Sequence, residues 1–310
     1  MDFIKNGVFV AIIGHGLIGL SLLWDKILLK QPETRNLVSY VFWLGAISIF
    51  GLLLIPFGFE LPSFKTALLA FTAGLCDLGA TFFYYQALKA GEASQTLAIM
   101  GGFSPVATAL IAIPLLKYPV GEGKLLGFAL MTIGGFVMFF SEHLDISKIW
   151  VSVVAASGLF GLVNVLQKLA YNDANFVTAY VFFSLGTFAG AILLLVRRTW
   201  RKQIFTKSHA ARPRSQFWYF VNRFTAGVGS FLVFFAISRE NPAVVDAIAG
   251  VRYAVIFTGA LAITKLRPQW LKEDFRGWAL VGKSVATLLV VAGLVLLALA
   301  GGEAGAAGPA

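Results

Sequence analysis

The chain has 310 residues, of which 58% are hydrophobic and only 13% charged, so it carries more apolar surface than one soluble core can bury. The formal net charge of +10 comes from Lys and Arg residues that lie mostly in short connections between apolar runs. Membrane orientation explains this pattern without a nucleic-acid partner. The single cysteine, Cys76, excludes a disulfide framework.

Ten apolar runs of about twenty residues are long enough to cross the roughly 30 Å hydrocarbon core of a bilayer. In chain order they predict transmembrane helices at 7–28, 37–57, 66–88, 93–115, 124–140, 148–170, 176–196, 216–237, 243–264 and 277–299. The predicted fold class is therefore an all-α integral membrane protein in contact with lipid. We expect no cofactor, since no metal-binding or phosphate-loop motif is present in the sequence.

Three pairs of segments, in the same order in both halves of the chain, indicate an internal repeat. They are Gly19–Lys26 with Gly161–Lys168, Ala87–Gly101 with Ala236–Gly250, and Ile133–Val137 with Val291–Val295. We expect a first five-helix repeat at 1–141, a second at 142–300, and a disordered Gly/Ala-rich tail at 301–310. Because five is odd, the second repeat enters the membrane from the opposite side, which is the inverted topology of many secondary transporters.

The segment from Tyr84 to Ala98 (YYQALKAGEASQTLA), followed by Phe103–Val106 (FSPV), resembles the EamA-type ten-helix members of the drug/metabolite transporter superfamily. The same kind of link returns at Phe235–Arg239, and the resemblance extends from about residue 7 to 299. It implies a carrier of an amino acid, another small metabolite or a drug-like solute, usually exported. The chain departs from the family pattern in the second half, where Pro105 has no counterpart because Ala254 holds its position.

The distribution of Lys and Arg predicts the orientation. Six of these residues lie on the side that holds the N-terminus, sixteen lie on the opposite side, and three lie within spans. The positive-inside rule therefore places both termini outside, in a cell (inner or plasma) membrane.

Ionisable side chains inside a membrane are costly unless they are paired or hydrated, so each one is a candidate site residue. In the first half, His15 is either a proton relay or a helix-packing residue. Asp77 is either a proton or cation carrier, a contact for a substrate amine, or a structural partner of Arg223 or Arg252. Gln86 either lines a cavity or forms hydrogen bonds between helices.

In the second half, Asn222 and Arg223 either line a cavity or reach toward the basic side by snorkelling. Arg252, followed by Tyr253, could bind a carboxylate or phosphate, or neutralise Asp77 or Asp246. Asp246 and Arg252 are six residues apart, which places them on different faces of one continuous helix. The Trp24-Asp25-Lys26 segment indicates an interfacial anchor with a local ion pair.

Four further positions are predicted to serve helix packing or gating: Gly101, Gly102, Pro105 and Gly250. The predicted function is a secondary carrier of a small-molecule substrate that works by alternating access, with proton coupling possible and ATP hydrolysis excluded by the missing phosphate loop. We expect no enzymatic activity. The alternatives are an intramembrane enzyme that acts on lipid-linked substrates and a non-transporting membrane scaffold.

Overall fold

The computed structural model describes residues 7–28, 36–90, 93–116, 122–140, 149–205, 213–266 and 277–306, and this part of the chain is almost entirely helical. The helices are α1 (Gly7–Leu28), α2 (Leu37–Ile47), α3 (Phe64–Ala90), α4 (Ala93–Leu116), α5 (Glu122–Phe140), α6 (Trp150–Asp173), α7 (Phe176–Leu194), α8 (Arg198–Phe205), α9 (Pro213–Arg239), α10 (Pro242–Ala247), α11 (Gly250–Leu266) and α12 (Gly277–Ala306). A 3₁₀ segment, Ser48–Phe57, continues α2.

Seven helical stretches of the described chain are long enough and apolar enough to cross a membrane. Three shorter apolar segments, in α4, α5 and α12, accompany them. Large apolar side chains such as Phe57, Phe224 and Leu288 are exposed on the bundle. Exposed apolar surface of this extent needs lipid around it. The predicted fold class, an all-α integral membrane protein of about ten spans, is confirmed.

The spans predicted from the apolar runs coincide closely with the helices, and the differences are local. The second span changes from α-helix to 3₁₀ geometry at Ser48, and the ninth is divided into α10 and α11. The basic stretch after the seventh span contains the short helix α8. Helix α12 continues to Ala306, into the tail for which the sequence predicts disorder, and residues 307–310 lie outside the described chain.

Short polar caps define several helix starts. The side chains of Asn36, Asn175 and Asn241 accept hydrogen bonds from backbone N–H groups in the first turns of α2, α7 and α10. Pro242 occupies the start of α10, where a missing N–H group costs nothing. Only two residues separate α6 from α7 and α9 from α10, so these consecutive spans are joined by tight links and run antiparallel. We call the end of the bundle where α1 begins side A, and the opposite end side B.

The bundle is held by close pairs of helices. Helix α1 packs on α9 and α11, α3 packs on α6 and α7, and α5 packs on α12. At the crossing of α3 and α7 the two backbones touch: a Cβ atom on Gly74 would lie 2.0 Å from the carbonyl oxygen of Phe183, and one on Gly186 would lie 2.0 Å from that of Phe71. Only glycine fits at these two positions, as is common where membrane helices approach closely.

Candidate functional site

A buried polar cluster lies near the middle of the bundle and is called the central cluster here. It consists of His15 on α1, Ser104 and Thr108 on α4, Asn164 on α6, Asp246 on α10 and Arg252 on α11. Five of these side chains are buried, and that of Arg252 is half-buried. The cluster therefore collects groups from both halves of the chain.

Asp246 is the acceptor at the core of the central cluster. The Ser104 hydroxyl donates to its Oδ2 at 2.9 Å, and the Thr108 hydroxyl donates to the same oxygen. The Asn164 side chain also hydrogen-bonds to Asp246, and the positive charge of Arg252 interacts electrostatically with it. These donors stabilise the ionised carboxylate, which burial alone would disfavour.

The imidazole of His15 bridges the two parts of the ninth span. Arg252 Nε donates to His15 Nδ1 at 2.9 Å, so the proton of a neutral imidazole lies on Nε2. His15 Nε2 lies 2.9 Å from the carbonyl oxygen of Val245, to which it donates. His15 thus joins α1 to both α10 and α11.

The break in the ninth span brings Asp246 and Arg252 into electrostatic reach of each other. Helix α10 ends at Ala247 and α11 begins at Gly250, and the N–H groups of Val251 and Arg252 bond three residues back rather than four. The sequence argument that separated Asp246 from Arg252 assumed one continuous helix, so it does not hold here. Gly250 packs on α12, since a Cβ atom there would lie 2.8 Å from Val290 Cγ1.

A second buried network, called the side-B network here, lies toward side B. Its members are Asp25 on α1, Tyr40 on α2, Tyr85 on α3, and Tyr219, Asn222 and Arg223 on α9. The side chains of Asp25 and Arg223 are only 1% and 5% exposed. The network joins three helices of the first half to one helix of the second.

Asp25 accepts four hydrogen bonds in this network. Tyr40 donates to Oδ1 at 2.5 Å, Tyr85 donates to Oδ2 at 2.9 Å, and Asn222 Nδ2 donates to Oδ1 at 2.6 Å. Arg223 Nη2 donates to Oδ1 and forms an ion pair with the carboxylate.

Arg223 is also held by aromatic rings. Its guanidinium lies 5.1 Å from the ring centre of Tyr40 and 5.6 Å from that of Tyr219, and its Nη1 donates to the Tyr85 hydroxyl at 3.0 Å. The prediction of an interfacial anchor at Asp25 is therefore wrong, because the carboxylate turns into the bundle and pairs across it.

Asp77 belongs to neither group. It is half-buried at the middle of α3, and within the described chain it has no hydrogen bond or ion pair. Arg223 pairs with Asp25 instead, and Arg252 bonds to His15. The structural pairing of Asp77 with either arginine is not found.

The remaining predicted site residues are dispersed. Gln86 is exposed and, within the described chain, bonds to no residue of either group. Tyr253 lies on α11, but its side chain is outside the described part. Pro105 is buried on α4, whereas Gly101 and Gly102 are described only as part of that helix.

Where side B has a buried ion pair, the side-A half of the described bundle has an aromatic cluster. Its rings pack between α7 and α9 in tilted and edge-to-face arrangements, with centroid separations such as 4.6 Å for Phe183 and Phe234 and 5.3 Å for Tyr180 and Phe231. The repeat aligns Asp25 with Gln167, which is fully buried, and neither its amide oxygen nor its nitrogen has a hydrogen-bond partner within the described chain. The two ends of the bundle are thus closed by different chemistry.

The fold and its two buried polar groups define a polytopic α-helical membrane protein with a polar interior. Residues 5–140 match the model of the EamA-like transporter family, and this match confirms the resemblance found in the sequence. The family match implies a membrane transporter of small solutes.

Comparison with solved structures supports the same fold over both halves. One crystal structure of a protein superposes with a TM-score of 0.64 at 13% sequence identity, over 96% of this chain and 98% of the other. Likeness at this identity concerns the fold alone. No curated protein sequence matches the chain.

Proposed function

We propose that this protein is a secondary carrier that exports a small metabolite such as an amino acid by alternating access, and that the solute binds at the central cluster. The observation that carries the proposal is the meeting of Arg252, His15 and Asp246 at a break between two helices. Broken helices near the middle of the membrane are where secondary transporters build their binding sites.

The charges of the central cluster suit a zwitterion. The planar guanidinium of Arg252 can bind a carboxylate through two parallel hydrogen bonds. The carboxylate of Asp246 can accept from an ammonium group in place of the hydroxyl donors Ser104 and Thr108. A solute with both groups would replace protein contacts with equivalent ones, so the cost of desolvating the two protein charges would be offset.

The side-B network is proposed as the gate on that side. It ties α9 to α1, α2 and α3 through one carboxylate, so side B can open only when the contacts of Asp25 are exchanged for others. With this gate closed and the aromatic cluster packed at side A, the central cluster is occluded.

The matched packing of helices supports two inverted five-helix repeats. Helix α1 packs on α9 and α11, and in the same way α6, its partner in the repeat, packs on α3 and α4. Helices α5 and α12, which end the two predicted repeats, pack on each other.

The test is the flux of radiolabelled amino acids into proteoliposomes. Arg252→Gln should lower the initial rate for the transported amino acid at least tenfold, because a hydrogen bond to a charged group contributes about 1.5–3 kcal/mol and about 1.4 kcal/mol corresponds to a factor of ten. Arg239→Gln is the matched control, since Arg239 is exposed at the end of α9 and its guanidinium lies over Phe235. Equal rates in both variants would remove the central cluster from the transport path.

A further inference from the structure

The three aspartates that lie within the spans of the described chain differ in how their carboxylates are satisfied. Asp25 accepts from two tyrosines, an amide and an arginine, and Asp246 accepts from two hydroxyls and an amide near Arg252. Asp77 has no such donor within the described chain. Two of the three carboxylates therefore have hydrogen-bond donors and a nearby arginine, and the third has neither within the described chain.

The position of Asp77 excludes a surface role. It is the central residue of α3 (Phe64–Ala90), so about 20 Å of helix separates it from either end at 1.5 Å per residue. It shares a face of α3 with Ala73, Thr81 and Tyr84, which are buried. The carboxyl group consequently points toward the interior of the bundle.

Among the residues that the structure describes, no cation pairs with Asp77. The titratable groups that interact with it are Cys76 on its own helix and Tyr180 on α7. On α6, which also packs on α3, Tyr171 interacts with Tyr180, and Lys168 donates to the carbonyl oxygen of Ser238. On α2, which also contacts α3, Tyr40 donates to Asp25, and α4, the fourth helix in contact with α3, has no titratable residue in its sequence.

Such surroundings disfavour an ionised carboxylate much more strongly than a neutral carboxylic acid. Asp77 therefore holds a proton while the bundle is closed, and water that enters on opening makes release of the proton favourable. A group that binds a proton in one conformation and releases it in another links the two conformations to the proton gradient.

We propose that Asp77 is the proton-binding site that couples solute movement to a pH gradient, separate from the ion-pairing groups of the central cluster. This inference rests on the proposed function. It divides the work between two places: Arg252 and Asp246 hold the charges of the solute, and Asp77 carries the proton.

The first test needs no solute. A hydrophobic carbodiimide reacts with protonated carboxyl groups inside membranes, so we expect mass spectrometry of the treated protein to find the adduct on Asp77. The label should be absent from Asp77→Asn and retained in Asp77→Glu. Absence of the adduct from the unmodified protein would overturn the proposal.

The second test separates coupling from movement. In proteoliposomes with a pH difference, the wild-type chain should accumulate the transported amino acid, by roughly tenfold for each pH unit if one proton moves per solute. Asp77→Asn should lose this accumulation and keep exchange of labelled for unlabelled amino acid at equal pH. Asp77→Glu should recover part of the accumulation.

The matched control is Asp173→Asn, because Asp173 is an exposed carboxylate at side A that lies 3.8 Å from Lys65 in a surface ion pair. It should accumulate solute like the wild type. Accumulation by Asp77→Asn at the wild-type level, or a wild-type flux indifferent to the pH difference, would overturn the coupling role. If none of the amino acids moves, the proposed function itself fails, while the carbodiimide label still decides whether Asp77 holds a proton.

Discussion

The substitution Asp25→Asn tests the side-B network most directly. It keeps the shape of the side chain and removes its charge. The Arg223 side chain, which is only 5% exposed, then remains buried without a counter-ion. Breaking a buried ion pair from one side costs about 3–5 kcal/mol. Because Tyr85 still accepts from Arg223 and two rings still face its guanidinium, we expect the lower part of this range.

The free energy of unfolding can be measured by titrating the protein in mixed micelles with dodecyl sulfate. The double variant Asp25→Asn/Arg223→Gln should lose at least about 2 kcal/mol less than the sum of the two single variants, because residues in one network couple strongly. Lys65→Gln is the control: the pair of Lys65 with Asp173 is exposed, so its loss should cost about 1 kcal/mol or less. Additive effects of the two single changes would refute the network as one energetic unit.

The same variant should also loosen side B. Cys76 is the only cysteine of the chain, is half-buried in the middle of α3, and reports on that depth without background labelling. A membrane-impermeant maleimide added from side B should label it faster in Asp25→Asn than in the wild type. An unchanged rate in a variant that is measurably less stable would show that the network holds the fold but does not gate access.

Three further predictions concern packing and charge. Gly74→Ala should destabilise the protein by about 1–3 kcal/mol in the same titration, because its Cβ atom would clash with the Phe183 carbonyl oxygen. The control Gly158→Ala has open space around its Cβ atom and should be neutral or slightly stabilising. Equal effects of the two changes would contradict the backbone contact. Gln167→Leu should leave stability unchanged or raise it by about 1 kcal/mol, since both polar atoms of the amide are buried and have no hydrogen-bond partner within the described chain. A clear loss of stability would mean that the amide has a partner. A topology reporter fused to the C-terminus should read outside the cytoplasm, and a cytoplasmic signal would reverse the orientation predicted from the charges.

The helices could be predicted from the sequence because membrane thickness imposes their length. The first predicted span, 7–28, coincides with Gly7–Leu28, and most others agree to within a few residues. Helix α8 was not predicted, because its many charged residues surround the apolar pair Trp200 and Ile204. These residues are four apart, and they pack against the core of the bundle. A search for helical spacing within basic loops would have found it.

The sites were harder to predict because their partners are distant in sequence. Asp25 and Lys26 look like a pair in the sequence, but adjacent residues on a helix point apart. The actual partner, Arg223, is 198 residues away, and no local pattern connects them. Arg252 and His15 were both predicted as candidates, and only the folded bundle shows that they touch.

The contact of Gly74 with Gly186 bears on which parts of the molecule can move as rigid bodies. Helix α3 belongs to the first predicted repeat and α7 to the second, yet their backbones are in contact and cannot slide past each other without a clash. Helices α1 and α9 are paired across the repeats in the same way, with Gly14 and Gly229 at their crossing. Each of the two bodies that move against each other would therefore contain helices from both repeats. The duplication visible in the sequence would reflect how the fold arose, and the boundary between the repeats would not be the hinge.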